Sequence, residues 1–517
     1  MSRLIKYEKT LKEIFGYDKL KDKQYNIIDK LIHDKENVCG IMKTGYGKSL
    51  CYQFPPLYLN KIAIIISPLI SLMEDQKLQL NKMNISVCCL NSTEDTSSNT
   101  IKDIVDNKFR IIFMTPEYAI NAQYLFTKII DNLCLIAIDE AHCISLWGNS
   151  FRESYIKLYI IKEWIKNIPI LILTATATNR VLNDIQNILK IDNINIIKDN
   201  FDRPNLYLDI QYKFDKTETI LKSILIKNKK FIDEYVIIYC LTKKETDKTA
   251  EIVQKLGINC EAYHSDIDSD KKKDIQNEFI NGNNLKCIVA TIAFGMGINK
   301  SNIRKIIHMN LPKNIESYYQ EIGRAGRDGL SSQCYAFYTS KDIELHKFMI
   351  ENNVDNKDNK KIKYEMLDEM YNFAKSYNCK RKELLRYFEE DYKGECKNCS
   401  RCLININEQK DYTNEAVMFF ELIKDINCEY GLSTIILILR GSKSKKINYF
   451  FKNKFYGKGK EYSEIFWKKI GRYLINQKYL EEINVDAFYN KINYTKLGIN
   501  WLKSIYNNNN NNKVFIN

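Results

Sequence analysis

Long apolar runs are missing from this 517-residue sequence. The longest, such as Ile62 to Ile66, have the length of a strand, against the roughly 18 residues that a membrane span requires, which excludes a membrane-spanning class. The N-terminus, MSRLIKYEKT, also lacks the apolar core of a secretory signal and leads into an amphipathic pattern, so a reducing, intracellular compartment is expected. Glycine (19) and proline (7) are few, and the proportions of hydrophobic and charged residues exclude a fibrous chain. Hydrophobic residues at 45% and charged residues at 27% exclude a mostly disordered or disulfide-stapled one. Acidic residues fall short of basic ones, 64 against 78, and the net charge of +14 has the sign suited to a polyanionic partner. In a reducing compartment the 15 cysteines are read as thiols or metal ligands. At roughly 150 residues per domain, the length suggests three or four domains.

Over the first 200 or so residues, short β-branched runs alternate with polar helical stretches, the pattern of strand and helix units around a parallel sheet. The runs AIIISPL, RIIFMTPE, LCLIAIDEAH and IPILILTATAT each end in small or polar residues, and such ends line the ligand crevice of a parallel sheet. After an irregular stretch containing Phe201, Asp202, Arg203 and Pro204, the pattern resumes at Val236 to Cys240, Cys287 to Thr291 and Ile303 to Asn310. This predicts a second, similar α/β domain. From Ser340 the strand signal fades into a Lys, Asp and Asn-rich helical region, followed by a cysteine cluster. Thr413 to Ser504 mixes helices with a late hairpin, and the Asn507 to Asn512 run predicts a disordered tail.

Three motifs carry phosphate chemistry. In MKTGYGKS, the loop holds Thr44, and Gly45 and Gly47 let the backbone amides curl toward a triphosphate; Lys48 supplies a point charge and Ser49 a magnesium ligand. Met42 stands where the strict signature begins with glycine. In IDEAH, Asp139 and Glu140 end an apolar strand, where one carboxylate can hold magnesium through water and the other can accept a proton from attacking water. An acidic helix start would use the same residues. In YYQEIGRAGRDG, Gln320, Arg324 and Arg327 lie on a glycine-punctuated segment of the second sheet domain, where arginines can neutralise charge on a transferring phosphoryl group. A solvated basic turn is the alternative, but it leaves unexplained the presence of two other phosphate motifs. Nucleotide hydrolysis accounts for all three.

Cys379, Cys396, Cys399 and Cys402 have the spacing C-x16-C-x2-C-x2-C, which suits four thiolates around a structural zinc ion. Thiolate softness alone suits an iron–sulfur cluster as well.

From Leu11 to Leu502 the sequence resembles the RecQ-like branch of superfamily 2 DNA helicases. The match runs through FGYDKLKDKQ, ISPLISLMEDQ, TPE, DEAHCISLWG, TATAT, FDRPNL, YHSD, VATIAFGMGINK and the arginine motif. The resemblance implies that Tyr17 stacks on adenine and Gln24 reads its edge, with Lys21 where the family usually has an arginine fork. Lys43 replaces a usual proline of the phosphate loop. HCISLWGNSFRESY resembles the family's aromatic-rich loop, implying that Trp147 and Phe151 stack on unpaired bases while Arg152 contacts the strand or steadies the loop. Leu146 and Ser150 replace the usual glutamine and aspartate there. Core packing is the other reading of an isolated Trp and Phe. By the same resemblance Thr174 and Thr176 relay nucleotide state, Thr291 meets strand and nucleotide, and CKRKELLRYFEE with GECKNCSRC marks a zinc-binding subdomain. The later region resembles a winged-helix domain, with Lys443, Lys445 and Lys446 on DNA phosphates, a wing near Ile483 and Asn493, and Phe488 and Tyr489 at a duplex end or in the core.

The expected architecture is therefore α/β: RecA-like domains at 1-200 and 201-342, a helical zinc-binding subdomain at 343-409, a winged-helix domain at 410-505 and a disordered tail at 506-517. The resemblance implies an ATP-, magnesium- and zinc-containing 3′ to 5′ helicase on single-stranded and forked DNA, acting in recombination or repair without a membrane. An RNA helicase, and an ATP-responsive remodeller of branched nucleic acid that does not unwind processively, are the alternatives. High Lys, Asn and Ile usage points to an AT-rich genome, as in a microbe or large DNA virus, with a nuclear or viral replication site as the corresponding location.

Overall fold

The computed structural model describes residues 3–91, 98–148, 151–165, 167–227, 230–231, 233–292, 294–295, 300–354, 356–403, 410–485, 490–507 and 513–516. The chain forms two compact units, one comprising Met1–Gln211, Leu221–Ala374 and Asn378–Cys399, the other Tyr212–Ile220, Lys375–Tyr377 and Ser400–Asn517.

The first unit contains both predicted sheets. Strands β1 (Val38–Ile41), β2 (Ile62–Ile66), β3 (Val87–Leu90), β4 (Ile111–Met114), β5 (Leu133–Ile138), β6 (Ile170–Thr174) and β7 (Asn195–Lys198) lie in the order β3-β4-β2-β5-β6-β1-β7, every neighbouring pair parallel. β2 and β6 are buried along their whole length, as expected where helices cover both faces, and this explains the unbroken Ile and Leu runs. Register brings the motif-bearing ends together. Ile41 sits opposite Thr174 and Ile66 opposite Ile138, so the phosphate loop leaves the sheet beside TATAT, and the DEAH segment leaves beside the β2 end.

The second sheet consists of β8 (Leu206–Tyr212), β9 (Tyr235–Tyr239), β10 (Cys260–Tyr263), β11 (Cys287–Ala290), β12 (Ile303–His308) and β13 (Ser332–Tyr338), ordered β10-β11-β9-β12-β13-β8. Pairing is parallel from β10 through β13. Three helices follow, Ser340–Asn353, Lys357–Lys375 and Lys380–Tyr387. The fully buried Lys380 donates its Nζ to the carbonyls of Phe373 (2.6 Å) and Ala374 (3.2 Å), satisfying acceptors that the end of a helix leaves open.

The second unit packs helices Thr413–Asp425, Leu432–Leu439, Glu464–Asn476 and Lys496–Tyr506 around Phe419, Phe420, Ile435 and Trp467. Its antiparallel hairpin, Leu480–Asn484 with Asn490–Tyr494, is the predicted wing, and these elements form a winged-helix domain. The tail departs from expectation. Lys410 and Asp411 pair with Ile516 and Phe515, and Val514 is fully buried, so residues 513–516 return to the domain, Phe515–Ile516 as a short strand. The asparagine run obscured an apolar segment able to fill that position; residues 508–512 of the run lie outside the described residues. No helix is long and apolar enough to cross a membrane among the described residues.

Candidate nucleotide and nucleic-acid site

The phosphate loop turns out of β1 with Gly45 and Gly47 at φ +84° and +94°, backbone conformations that side-chained residues adopt only with strain. A Cβ on Gly45 would lie 3.2 Å from Arg327 Cγ, and one on Gly47 would lie 2.8 Å from Gln24 Nε2, so either would press on a side chain of the cleft. Helix Leu50–Leu59 begins directly after Ser49, aiming its N-terminus at the loop as an anion site requires. Lys48 donates to the Met42 carbonyl (3.3 Å), Lys21 to that of Tyr46 (2.8 Å), and Gln24 to that of Gly47 (3.0 Å). Burial lowers the pKa of Lys21. Tyr17, 56% exposed, lies at the rim of a cleft of about 660 Å³ that Thr44 to Ser49, Glu140, Gln320, Arg324 and Arg327 also line.

Asp139 directly follows β5 and is buried; burial, reinforced by Glu140 and opposed by Lys48, pushes its carboxyl up to about 7. Glu140 follows in the left-handed region at φ +49°. Its buried Oε2 has no hydrogen-bond partner among the described residues, although it lies 3.3 Å from His142 Nδ1. That contact is not an ion pair, because burial lowers the His142 pKa, and Nδ1 is engaged with Thr174 Oγ1 at 3.1 Å. A buried carboxylate oxygen left with acceptor capacity, beside Asp139 and across from Ser49 and Lys48, is a donor set that fits hydrated magnesium and a nucleophilic water.

Helix Ile315–Ile322 of the second sheet domain completes the cleft. Gln320 Nε2 donates to Thr176 Oγ1 (3.3 Å) and lies 3.5 Å from His142 Nε2. Burial and the neighbouring Arg324 and Arg203 push the Arg327 guanidinium down to about 10, which leaves it cationic at neutral pH. Thr291 lies beyond β11, its amide donating to the Tyr263 carbonyl (3.2 Å); residues 296–299 of the adjoining motif lie outside the described residues.

Trp147 and Phe151 are partly exposed just beyond DEAH, and Arg152 stands 4.0 Å from Glu117. Ser150 lies outside the described residues. Sequence reasoning missed two cations on this loop. Arg180 places its guanidinium 4.8 Å from the Trp147 ring centre, and Lys363 donates to the Leu146 carbonyl (3.0 Å). Burial lowers the Lys363 pKa to about 8.

The Sγ atoms of Cys379, Cys396, Cys399 and Cys402 all lie within 4.8 Å of one another, and no cysteine forms a disulfide. Four thiolates at that spacing fit tetrahedral zinc with bonds of about 2.3 Å, and leave no open position for catalysis. Arg381 Nε donates to Cys396 Sγ (3.3 Å), a contact that favours the thiolate form a metal requires.

Comparison with known proteins finds, in chain order, a DEAD/DEAH box helicase domain at residues 21–185, a helicase conserved C-terminal domain at 215–329, a RecQ zinc-binding domain at 340–403 and an RQC domain at 406–511. The chain is 43% identical over 515 residues to a protein of Acanthamoeba polyphaga mimivirus named as an ATP-dependent RNA helicase, covering 97% of this chain and 93% of that one. It is 35% identical over 478 residues to the ATP-dependent DNA helicase RecQ of Pasteurella multocida, covering 92% of this chain and 74% of the relative. The chain belongs to the RecQ-like helicases of superfamily 2. A third relative, the bifunctional 3′-5′ exonuclease/ATP-dependent helicase WRN of Mus musculus, is 36% identical over 95% of this chain, which spans 37% of that longer protein.

As a RecQ-like enzyme the protein is an ATP-dependent helicase with a zinc-binding domain, and magnesium is the usual companion of ATP in such helicases. Its departures from the family pattern have visible consequences. Lys43 does not stiffen the loop as proline does; it reaches the Asp202 carbonyl (3.4 Å) and stands 3.7 Å from Asp199 Oδ2. Lys21, in place of arginine, makes one contact with the loop backbone and lies 4.7 Å from the centre of the Tyr46 ring. In this RecQ-like helicase's winged-helix domain, Lys443, Lys445 and Lys446 are exposed, and so is Tyr449 at 94%. Phe488 and Tyr489 lie outside the described residues.

Proposed function

We propose that this helicase moves 3′ to 5′ along single-stranded DNA and separates forked duplexes in recombination or repair. The observation that most supports a motor is the meeting of groups from both sheets across one cleft, with Arg327 against Gly45 of the phosphate loop and Gln320 against Thr176 of TATAT. The proposed divisions are two motor lobes at 1-200 and 201-342, a zinc subdomain at 343-409 and a winged helix from 410.

In this reading Thr44, Gly45, Gly47 and Lys48 cradle the triphosphate, Ser49 and Asp139 hold magnesium, and Tyr17, Lys21 and Gln24 hold the base. Bound with the nucleotide, magnesium neutralises phosphate charge. Glu140 orients the attacking water and takes its proton. Arg327, assisted by Arg324, neutralises charge developing on the transferred phosphoryl group, while Gln320 passes the closed state to Thr176. Trp147, Phe151, Arg152 and Thr291 grip the strand by stacking and phosphate contact, and Lys443, Lys445 and Lys446 hold duplex phosphates.

DNA is favoured as substrate by the RecQ relative, whose name gives a DNA helicase. A second reading, RNA unwinding, is favoured by the name of the mimivirus relative. Matched 3′-tailed and 5′-tailed DNA duplexes and a 3′-tailed RNA duplex decide between them. Unwinding of 3′-tailed DNA well above the other two is expected; preference for the RNA duplex reverses the assignment, and preference for the 5′ tail refutes the direction.

A further inference from the structure

Between the sheets, one side chain that belongs to none of the phosphate motifs binds backbone from both. Arg203 donates from Nη1 to the carbonyls of Thr44 (3.4 Å) and Gly323 (3.3 Å), and from Nη2 to those of Ala325 (2.8 Å) and Gly326 (2.8 Å). Thr44 belongs to the phosphate loop. The other three follow helix Ile315–Ile322 and form the turn that carries Arg324 and Arg327. Carbonyls at a helix end have no partner within the helix, so this turn needs donors from elsewhere. A planar guanidinium can serve several at once in fixed directions; an ammonium is a single point charge.

The same segment grips the turn a second time. Asn205 Nδ2 donates to the carbonyls of Gly326 (3.0 Å) and Leu330 (2.9 Å), and a Cβ on Gly326, at φ +53°, would lie 2.5 Å from that nitrogen. At its other end the segment is tied to the phosphate loop by Lys43, through Asp199 and the Asp202 carbonyl. Asp202 also pairs with Arg381, the residue that donates to Cys396. The stretch from Asp199 to Asn205 is thus a strap fastened to the phosphate loop on one side and to the arginine-bearing turn on the other.

We propose that Arg203 is a positioning residue for hydrolysis, setting the turn of Arg324 and Arg327 against the phosphate loop so that Arg327 reaches the transferring phosphoryl group. This rests on the reading of Arg327 given above. Arg203 makes all four of these contacts to main chain, so it acts on where Arg327 stands and leaves nucleotide contact to other groups.

The test uses the full chain as Arg203→Lys, Arg327→Ala, the double variant and Asn205→Ala, with ATP turnover measured with and without a thymidine oligonucleotide and with thermal melting as a check on folding. For Arg203→Lys, kcat should fall about tenfold or more with KM for ATP within about twofold and melting unchanged. The double variant should turn over no more slowly than Arg327→Ala, because both changes act through one turn. Asn205→Ala should show the same pattern to a smaller degree, and it carries the test if Arg203→Lys does not fold. Wild-type kcat in Arg203→Lys and Asn205→Ala, with turnover lost in Arg327→Ala, overturns the proposal and leaves the arginine reading intact. Losses that multiply in the double variant also overturn it. Wild-type turnover in Arg327→Ala overturns both.

Discussion

Lys48, Glu140 and Arg327 reach one cleft from three different elements, and each supplies a different part of the proposed chemistry. Lys48→Ala removes the charge proposed to face the triphosphate and should lower ATP turnover at least about 100-fold, with weaker binding of a fluorescent ATP analogue. Arg327→Ala should cost on the order of 10³ in kcat, as loss of an arginine that stabilises the transferring group does elsewhere; DNA-stimulated turnover near wild type contradicts that role. For Trp147 and Phe151, double replacement by Ala should preserve basal turnover and weaken DNA stimulation and strand separation, since stacking contributes about 1 to 3 kcal/mol per base. Arg180 already lies over Trp147, so the wild-type stimulation against which this is measured includes displacing or retaining that cation. Lys48, Asp139 and Glu140 could be singled out in the sequence because the chemistry proposed for each is encoded within a few consecutive residues. Arg180, Arg203 and Lys363 could not: each acts on a partner far away in the chain, and even Arg203, within FDRPNL, carries no local sign of it.

At the scale of elements, the strands β2, β4, β5 and β6 could be read because burial on both faces demands continuous apolar runs. β10, with one buried residue in four, and β13, with alternating burial at its start, gave no such run. The returning strand at Phe515–Ile516 was hidden by the asparagines before it. The four-cysteine site was legible from spacing, and zinc in it from spacing together with the resemblance, but its support by Arg381 depends on tertiary packing. The account predicts about one zinc per chain. Cys399→Ser, a change at a fully buried ligand, should lose the metal and lower the melting temperature of the freshly purified, reduced protein, with DNA binding reduced as a consequence. Metal analysis that finds no zinc in the wild type contradicts the assignment.

Over the whole molecule, a charge of +14 and exposed lysines on the winged-helix domain suit the proposal that it follows phosphates more than it reads bases. Replacing Lys443, Lys445 and Lys446 by Ala should weaken duplex binding about equally for all sequences and flatten its salt dependence by roughly 0.9 in log–log slope per lost phosphate contact. Unchanged salt dependence assigns those lysines no phosphate role. The central claim is that hydrolysis across the cleft drives strand separation. It is tested most directly by measuring ATP turnover and separation of 3′-tailed forked DNA together, in the wild type and in Glu140→Gln, with magnesium present. The account predicts that the wild type hydrolyses ATP and separates the strands, while Glu140→Gln binds ATP and DNA but does neither. Strand separation by Glu140→Gln, or a wild type that turns over ATP and unwinds neither DNA nor RNA, contradicts it.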